Sequence, residues 1–138
     1  SDYKINNELN DLIRKELVKT QEDINRGVRE SIKLLKDFII IEEGTGKIIL
    51  INSQNLKNPE KIKLFLIGKY LANLIGVLDQ AEVSIKTLEL ELDIPKTTLS
   101  GPLSELGRKN IIKKPRENSY LINPARIEEE VKKLLEYE

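Results

Sequence analysis

"TLELELDIPKTTLSGPLSELGRKNIIKK", residues 87–114, decides how this chain is read. Leu99, Leu103 and Leu106 recur at i, i+4 and i+7, which places them on one helical face. Just upstream, Ile85, Leu88 and Leu92 share a face over about two turns, with Ser84 as a suitable N-cap. Asp93-Ile94-Pro95 breaks the pattern between them, because the residue before a proline avoids the helical region. The second helix should end near Gly107 to Asn110. Beyond it, Asn110 to Lys114 reads as a short strand and Pro115 to Ser119 as a polar loop. Tyr120 to Asn123 reads as a second strand, so the segment forms a hairpin, closed by Pro124. Leu99, Leu103, Leu106, Ile111 and Ile112 are expected in the core.

The pair Gly101-Pro102 interrupts the second helix. A proline in a helix interior costs ~3 kcal/mol, since it lacks the N–H that bonds the previous turn and its ring crowds that turn. The helix therefore starts late, with Ser100 as cap and Pro102 in its first turn, or it starts near Thr97 and is kinked. The late start is preferred here. It shortens the surface that could read bases and shifts weight toward phosphate contact.

Upstream lies the most apolar segment, "IKLFLIGKYLANLIG", residues 62–76. Its apolar residues occupy nearly every side, so it must be covered on more than one. That predicts a central helix shared between two halves, or one that also serves a dimer. Pro59 stands just ahead of it, and Gly76 is a plausible stop. At the other end, "RIEEEVKKLLEYE", residues 126–138, predicts an amphipathic helix with Ile127, Val131, Leu134 and Leu135 on one face. Glu128 to Glu130 read as solvated surface, favourably placed near the helix start.

The order is helix, helix, tight turn, helix, hairpin, helix. Over roughly residues 60 to 125 this resembles the winged helix-turn-helix superfamily of DNA-binding domains, on the residues quoted above. The resemblance implies a mostly α fold with small β-hairpins (α+β). It also implies that the second helix of the motif enters the major groove while the wing meets backbone or minor groove. Carried over residue by residue, Lys96, Thr97, Thr98 and Ser100 open the recognition helix, where hydroxyls and backbone N–H groups can meet phosphates or base edges. Ser104, Arg108 and Lys109 follow on the face away from the leucines. Lys113, Lys114, Arg116 and Asn118 belong to the wing, with Arg116 best placed for a minor groove. A purely structural reading of Lys113 and Lys114 is also open: charges that guard an edge strand.

Net charge is zero, with 23 basic and 23 acidic residues, yet the charge is unevenly spread. From Lys96 to Arg126 seven basic residues face Glu105 and Glu117, a net of +5. Asp79 to Asp93 nets −4, and Ile127 onward nets −3. A phosphate backbone responds to the local patch rather than to the sum.

Residues 31–52 can be laid on residues 102–123 without a gap, matching Leu35 to Leu106, Ile40-Ile41 to Ile111-Ile112 and Ile51-Asn52 to Ile122-Asn123. This suggests two winged-helix units in tandem around the apolar helix, the first degenerate. Thr20 to Asp23 would cap its short first helix, Gly27 would fall in the turn, and its hairpin would turn at Glu43 to Gly46. Glu42 and Glu43 stand where the second copy has Lys113 and Lys114, so the first copy suits a protein contact better than DNA. One long helix is the competing reading, since Ile5, Leu9, Ile13, Leu17, Ile24, Val28, Ile32 and Leu35 keep one stripe. The expected divisions are 1–58, an N-terminal helical segment plus hairpin; 59–125, the winged helix; and 126–138, the C-terminal helix.

Cys and His are absent, which removes disulfides, thiolate sites, the usual general base and the commonest metal ligand. No glycine-rich phosphate loop or spaced carboxylate cluster is present, so neither enzyme nor cofactor is expected. No apolar run approaches the ~18 residues of a membrane span, and no signal peptide opens the chain, which points to a cytoplasmic protein. The chain lacks Met even at its start, as an excised domain would, and its Ile, Lys, Leu and Glu bias is archaeal or thermophile-like. The expected function is a transcriptional regulator that binds double-stranded DNA as a homodimer. Its seam would lie on Ile127, Val131 and Leu134 or around Phe65 and Tyr70. The alternative is a protein-interaction or assembly subunit of a replication, transcription or chromosome-organising complex.

Overall fold

The computed structural model describes residues 2–137; Ser1 and Glu138, the outermost residues of the first and last expected segments, lie outside them. The described residues form a mixed α+β fold with one small sheet of two antiparallel strands and another of three. Helices α1 (Asp2–Leu17) and α2 (Gln21–Leu35) lead into strands β1 (Ile39–Ile41) and β2 (Ile48–Leu50). Helix α3 (Asn58–Leu74) follows, then strand β3 (Val83–Ser84), helix α4 (Ile85–Leu92) and helix α5 (Lys96–Arg108). Strands β4 (Ile112–Arg116) and β5 (Ser119–Ile122) precede helix α6 (Ile127–Lys132), which runs into a 3-10 turn at Lys133–Tyr137.

Helix α3 holds both halves together. Every residue from Ile62 to Gly68 is buried, as an all-round apolar helix requires, and α3 touches β1 and β2 as well as β5, α4 and α5. It begins at Asn58, so Pro59 is within its first turn, where a missing N–H costs nothing. It stops in a Schellman motif: Gly76 N–H donates to the Asn73 carbonyl and Val77 N–H to that of Ala72. Gly76 at φ +81° supplies the left-handed residue such an ending needs.

The one-long-helix reading of the N-terminal region does not hold, whereas the expected helix running into a hairpin is present, turning at Glu43 to Thr45. Thr20 and Asp23 form a capping box, with Asp23 N–H donating to Thr20 Oγ1 and Thr20 N–H to Asp23 Oδ2. That box starts α2 and ends the long-helix reading at Val18 to Thr20. Gly27 falls inside α2 rather than in a turn. Its place reflects close approach, since a Cβ there would stand 3.1 Å from Glu128 Cβ on α6. The order helix, three-residue connection, helix, hairpin does occur twice, but α1 leaves all its described side chains exposed, unlike α4.

Helix α6 packs along α2. Ile127, Val131 and Leu134 are buried in the core, while Leu135 is 53% exposed. Phe65 is buried as well, and Tyr70 packs against the core. Ile127, Val131, Leu134 and Phe65 are therefore covered within one chain, whereas Tyr70 stays partly exposed. Glu130 corrects a third expectation: it is 2% exposed rather than solvated. Its Oε1 accepts from Lys63 Nζ at 2.9 Å and its Oε2 from Lys133 Nζ at 2.9 Å. Burial pushes the Glu130 carboxyl up, but the hydrogen bonds from Lys63 and Lys133 more than offset it, leaving the group below its ordinary range. Burial pulls the Lys63 ammonium down, and Glu60 and Glu130 together more than reverse that.

Candidate nucleic-acid interface

Ser84 caps α4 through Thr87 N–H at 3.1 Å, and Asp93 ends it in the left-handed region. After the turn at Asp93 to Pro95, α5 runs unbroken from Lys96 to Arg108. The late start at Ser100 is thus incorrect. Pro102 sits inside the helix and offers no N–H to the carbonyl one turn back. Two features make this tolerable. Leu99, Leu103 and Leu106 are all buried, so packing outweighs the lost bond. Gly101 has no Cβ to meet the ring that follows it, the clash that usually drives a pre-proline residue out of helix.

Helix α5 ends in a second Schellman motif, with Asn110 N–H to the Gly107 carbonyl, Ile111 N–H to that of Leu106, and Asn110 at φ +60°. The hairpin turns on Glu117 and Asn118 alone, so the expected loop at 115–119 is shorter than read. Pro115 is accommodated because β4 is the outer strand in the order β3-β5-β4 and its register slips between Lys113 and Arg116. Strand β3, which the sequence reading lacked, pairs with β5 through Val83–Tyr120 and Ser84–Ser119.

Six of the eleven candidate residues come together. Lys96, Ser100 and Ser104 from α5 and Lys113, Lys114 and Asn118 from the hairpin line one cleft of about 430 Å³. The cleft floor is apolar, from Ile85, Leu103 and Ile112, and among the described residues no carboxylate lines it. Tyr120, which the sequence reading assigned only to a strand, also lines it, with Lys114 Nζ 5.9 Å from its ring centroid.

The other five do not join them. Thr97 and Thr98 are exposed on the first turn of α5, outside the cleft. Arg108 and Lys109 both pair with Glu105 on their own helix, Lys109 at 3.3 Å. Arg116 lines a separate depression beside Glu82, to which its Nε is 2.6 Å away. Lys114 pairs with Glu117 at 3.3 Å, and Arg126 with Glu129 at 2.7 Å. Of the seven cations between Lys96 and Arg126, Lys96 and Lys113 alone have no carboxylate in ion-pair range among the described residues. The segregation of charge read from the sequence is therefore partial. Acids distant in sequence fold back onto the patch, most directly Glu82 onto Arg116 and Glu89 onto α5, where its Oε2 accepts from Lys96 N–H at 2.7 Å. That amide is not open to a phosphate.

These surface pairs are mostly weak. Each side chain in the Arg108, Lys109 and Lys114 pairs is close to half exposed or more, a setting where an ion pair contributes ~0–1 kcal/mol. Among the described residues no group of His, Cys, Asp or Glu could hold a metal ion, and no helix is long and apolar enough to cross a membrane. Comparison of the chain with protein-family models, with curated proteins and with solved structures finds no match.

Proposed function

We propose that the chain is a winged helix-turn-helix protein that binds duplex DNA, with α5 as the recognition helix and β4–β5 as the wing, and that it acts as a transcriptional regulator. One observation carries the reading: a cleft lined by three lysines and, among the described residues, no carboxylate, opening between a helix and a hairpin. A phosphate backbone seated there would meet Lys96, Lys113 and Lys114, with the Ser100 and Ser104 hydroxyls and the Asn118 amide as neutral partners. Small side chains along the outer face of α5, at Thr97, Ser100, Gly101 and Ser104, let its backbone come close to a groove. Backbone positioning then outweighs base readout, because Arg108, the one guanidinium on that face, is held by Glu105 on its own helix.

Anisotropy of a labelled duplex across a salt series tests this. Affinity should fall steeply with salt, and Lys96→Glu with Lys113→Glu should abolish it. Absence of binding to any duplex at low salt removes the reading.

A second reading, a protein-interaction or assembly module, is favoured by the carboxylates paired with Arg108, Lys109, Lys114 and Arg116. A defined partner bound in fixed stoichiometry, with no duplex affinity, would put it first.

A further inference from the structure

Among the described residues two apolar surfaces are left without cover, and they match each other. The first is α1 and its connection to α2. Ile5, Leu9, Leu12 and Ile13 form a stripe, continued by Leu17 and Val18, and all are exposed, Leu17 at 78%. The second is a groove of about 350 Å³ in the body of the protein. Its walls include Ile32 and Leu35 of α2, Ile39 and Ile41 of β1, and Leu74 and Ile75 at the end of α3, with Ile75 68% exposed. Nine of the twelve large hydrophobic residues exposed among the described residues belong to these two features, six to the first and three to the second. An apolar concentration of that kind marks an interaction site rather than ordinary surface.

We propose that α1 of one copy lies in the groove of a second copy, and that the reciprocal exchange makes the homodimer. This deepens the dimer assumed above, and it stands whether or not the cleft binds DNA. A chain's own α1 is held off the groove. The capping box fixes where α2 begins, and Lys19 Nζ donates to the Ala125 carbonyl at 2.7 Å, tying the junction to the segment ahead of α6. Charge fits the same arrangement. Lys36 is the only groove residue that is not apolar. Glu16 lies in line with Ile5, Leu9 and Leu12, at the next position of the stripe, so a docked α1 carries a carboxylate to a groove whose one charge is an ammonium. The exchange is isologous, so it closes at two copies and leaves neither surface over.

Sedimentation without DNA is the test. The chain should be a dimer at micromolar concentration. Leu9→Glu with Leu12→Glu on α1, and separately Ile75→Glu in the groove, should each raise the dissociation constant about a hundredfold. All three sites are exposed, so the monomers should keep their far-ultraviolet spectra and melting temperatures. Mixing the two variants should restore a dimer, because one intact helix–groove pair remains. The chain has no cysteine, so Glu16→Cys mixed with Lys36→Cys should give a disulfide-linked pair under mild oxidation. A monomer at every concentration overturns the proposal. So does a dimer insensitive to Ile75→Glu, which would mean that two α1 helices pair with each other, or a disulfide confined to one chain in the doubly substituted protein.

Discussion

The chain contains one local unit twice, a helix running into a hairpin: α2–β1–β2 and α5–β4–β5. The parallel extends to a clasp. Asn52, just after β2, donates from Nδ2 to the Asp37 carbonyl at 2.7 Å, and Asn123, just after β5, donates to the Asn110 carbonyl at 2.9 Å. In each case the side chain fastens the strand exit to the helix–strand junction. The units differ in what lies over them. Helix α6 covers α2 tightly enough to need Gly27, whereas nothing lies within 4 Å of a Cβ at Gly101 or Gly107 on α5. The first hairpin leads into Glu42 and Glu43, and the second carries Lys113 and Lys114 on an outer strand. Similar backbone paths thus differ in what is packed against their helices.

The largest way to break this comparison is to loosen the cover. Glu130→Ala takes from the buried Lys63 ammonium one of its two carboxylate partners, leaving Glu60 at 2.7 Å, and should cost about 1–3 kcal/mol in chemical denaturation. A loss under ~1 kcal/mol would show that the ion pair does not hold α6 in place. The same clamp sets a pH dependence. The Glu130 carboxyl is depressed in the folded state, so its stabilisation is present above its ordinary pKa of 4.5 and is lost as pH falls through the lower folded value. Lys63 is raised, so its contribution is present below 10.5 and is lost as pH rises through the higher folded value. Melting temperature should therefore drop steeply in acid, and Glu130→Gln should flatten that limb.

Next in size is the contrast between hairpins. Lys113→Glu with Lys114→Glu should weaken duplex binding about a hundredfold across all sequences and flatten the salt slope, with stability unchanged within ~0.5 kcal/mol. Glu42→Lys with Glu43→Lys should confer no comparable affinity. If it does, the hairpins differ only in charge and not in setting. Smaller again is the helix-face contrast. Gly27→Val should cost about 1–3 kcal/mol by forcing α2 off α6. Gly107→Ala, with open space and no positive φ, should gain about 0.5–1 kcal/mol. Urea midpoints measure both.

Sequence pattern was a good guide wherever the cause was local. Ser84, Asp93, Gly76 and the Thr20–Asp23 box lie within a turn of the groups they satisfy, so their residue types announce them. The stripes at Leu99, Leu103 and Leu106 and at Ile127, Val131 and Leu134 were equally plain, but a stripe does not say what covers it. The second suits a seam between copies equally well, yet it is buried within the chain's own core. Lys63 and Glu130 are 67 positions apart, and each looks like ordinary surface until the fold joins them. The candidate site shows the same limit. Its lysines and hydroxyls were legible, whereas the reach of Glu82 to Arg116 and of Glu89 to Lys96 was not. Gly101-Pro102 misled because a per-residue cost was weighed without the burial that outweighs it.

The contact between α2 and α6 joins residues a hundred positions apart. During synthesis α2 emerges with its apolar face bare and stays so until residues near Val131 have left the ribosome. A nascent chain arrested after the second hairpin would hold the complete cleft yet lack its N-terminal closure, and should be a ready substrate for chaperones and proteases. Fusions or tags that delay docking at that end would prolong the vulnerable interval without touching any binding residue.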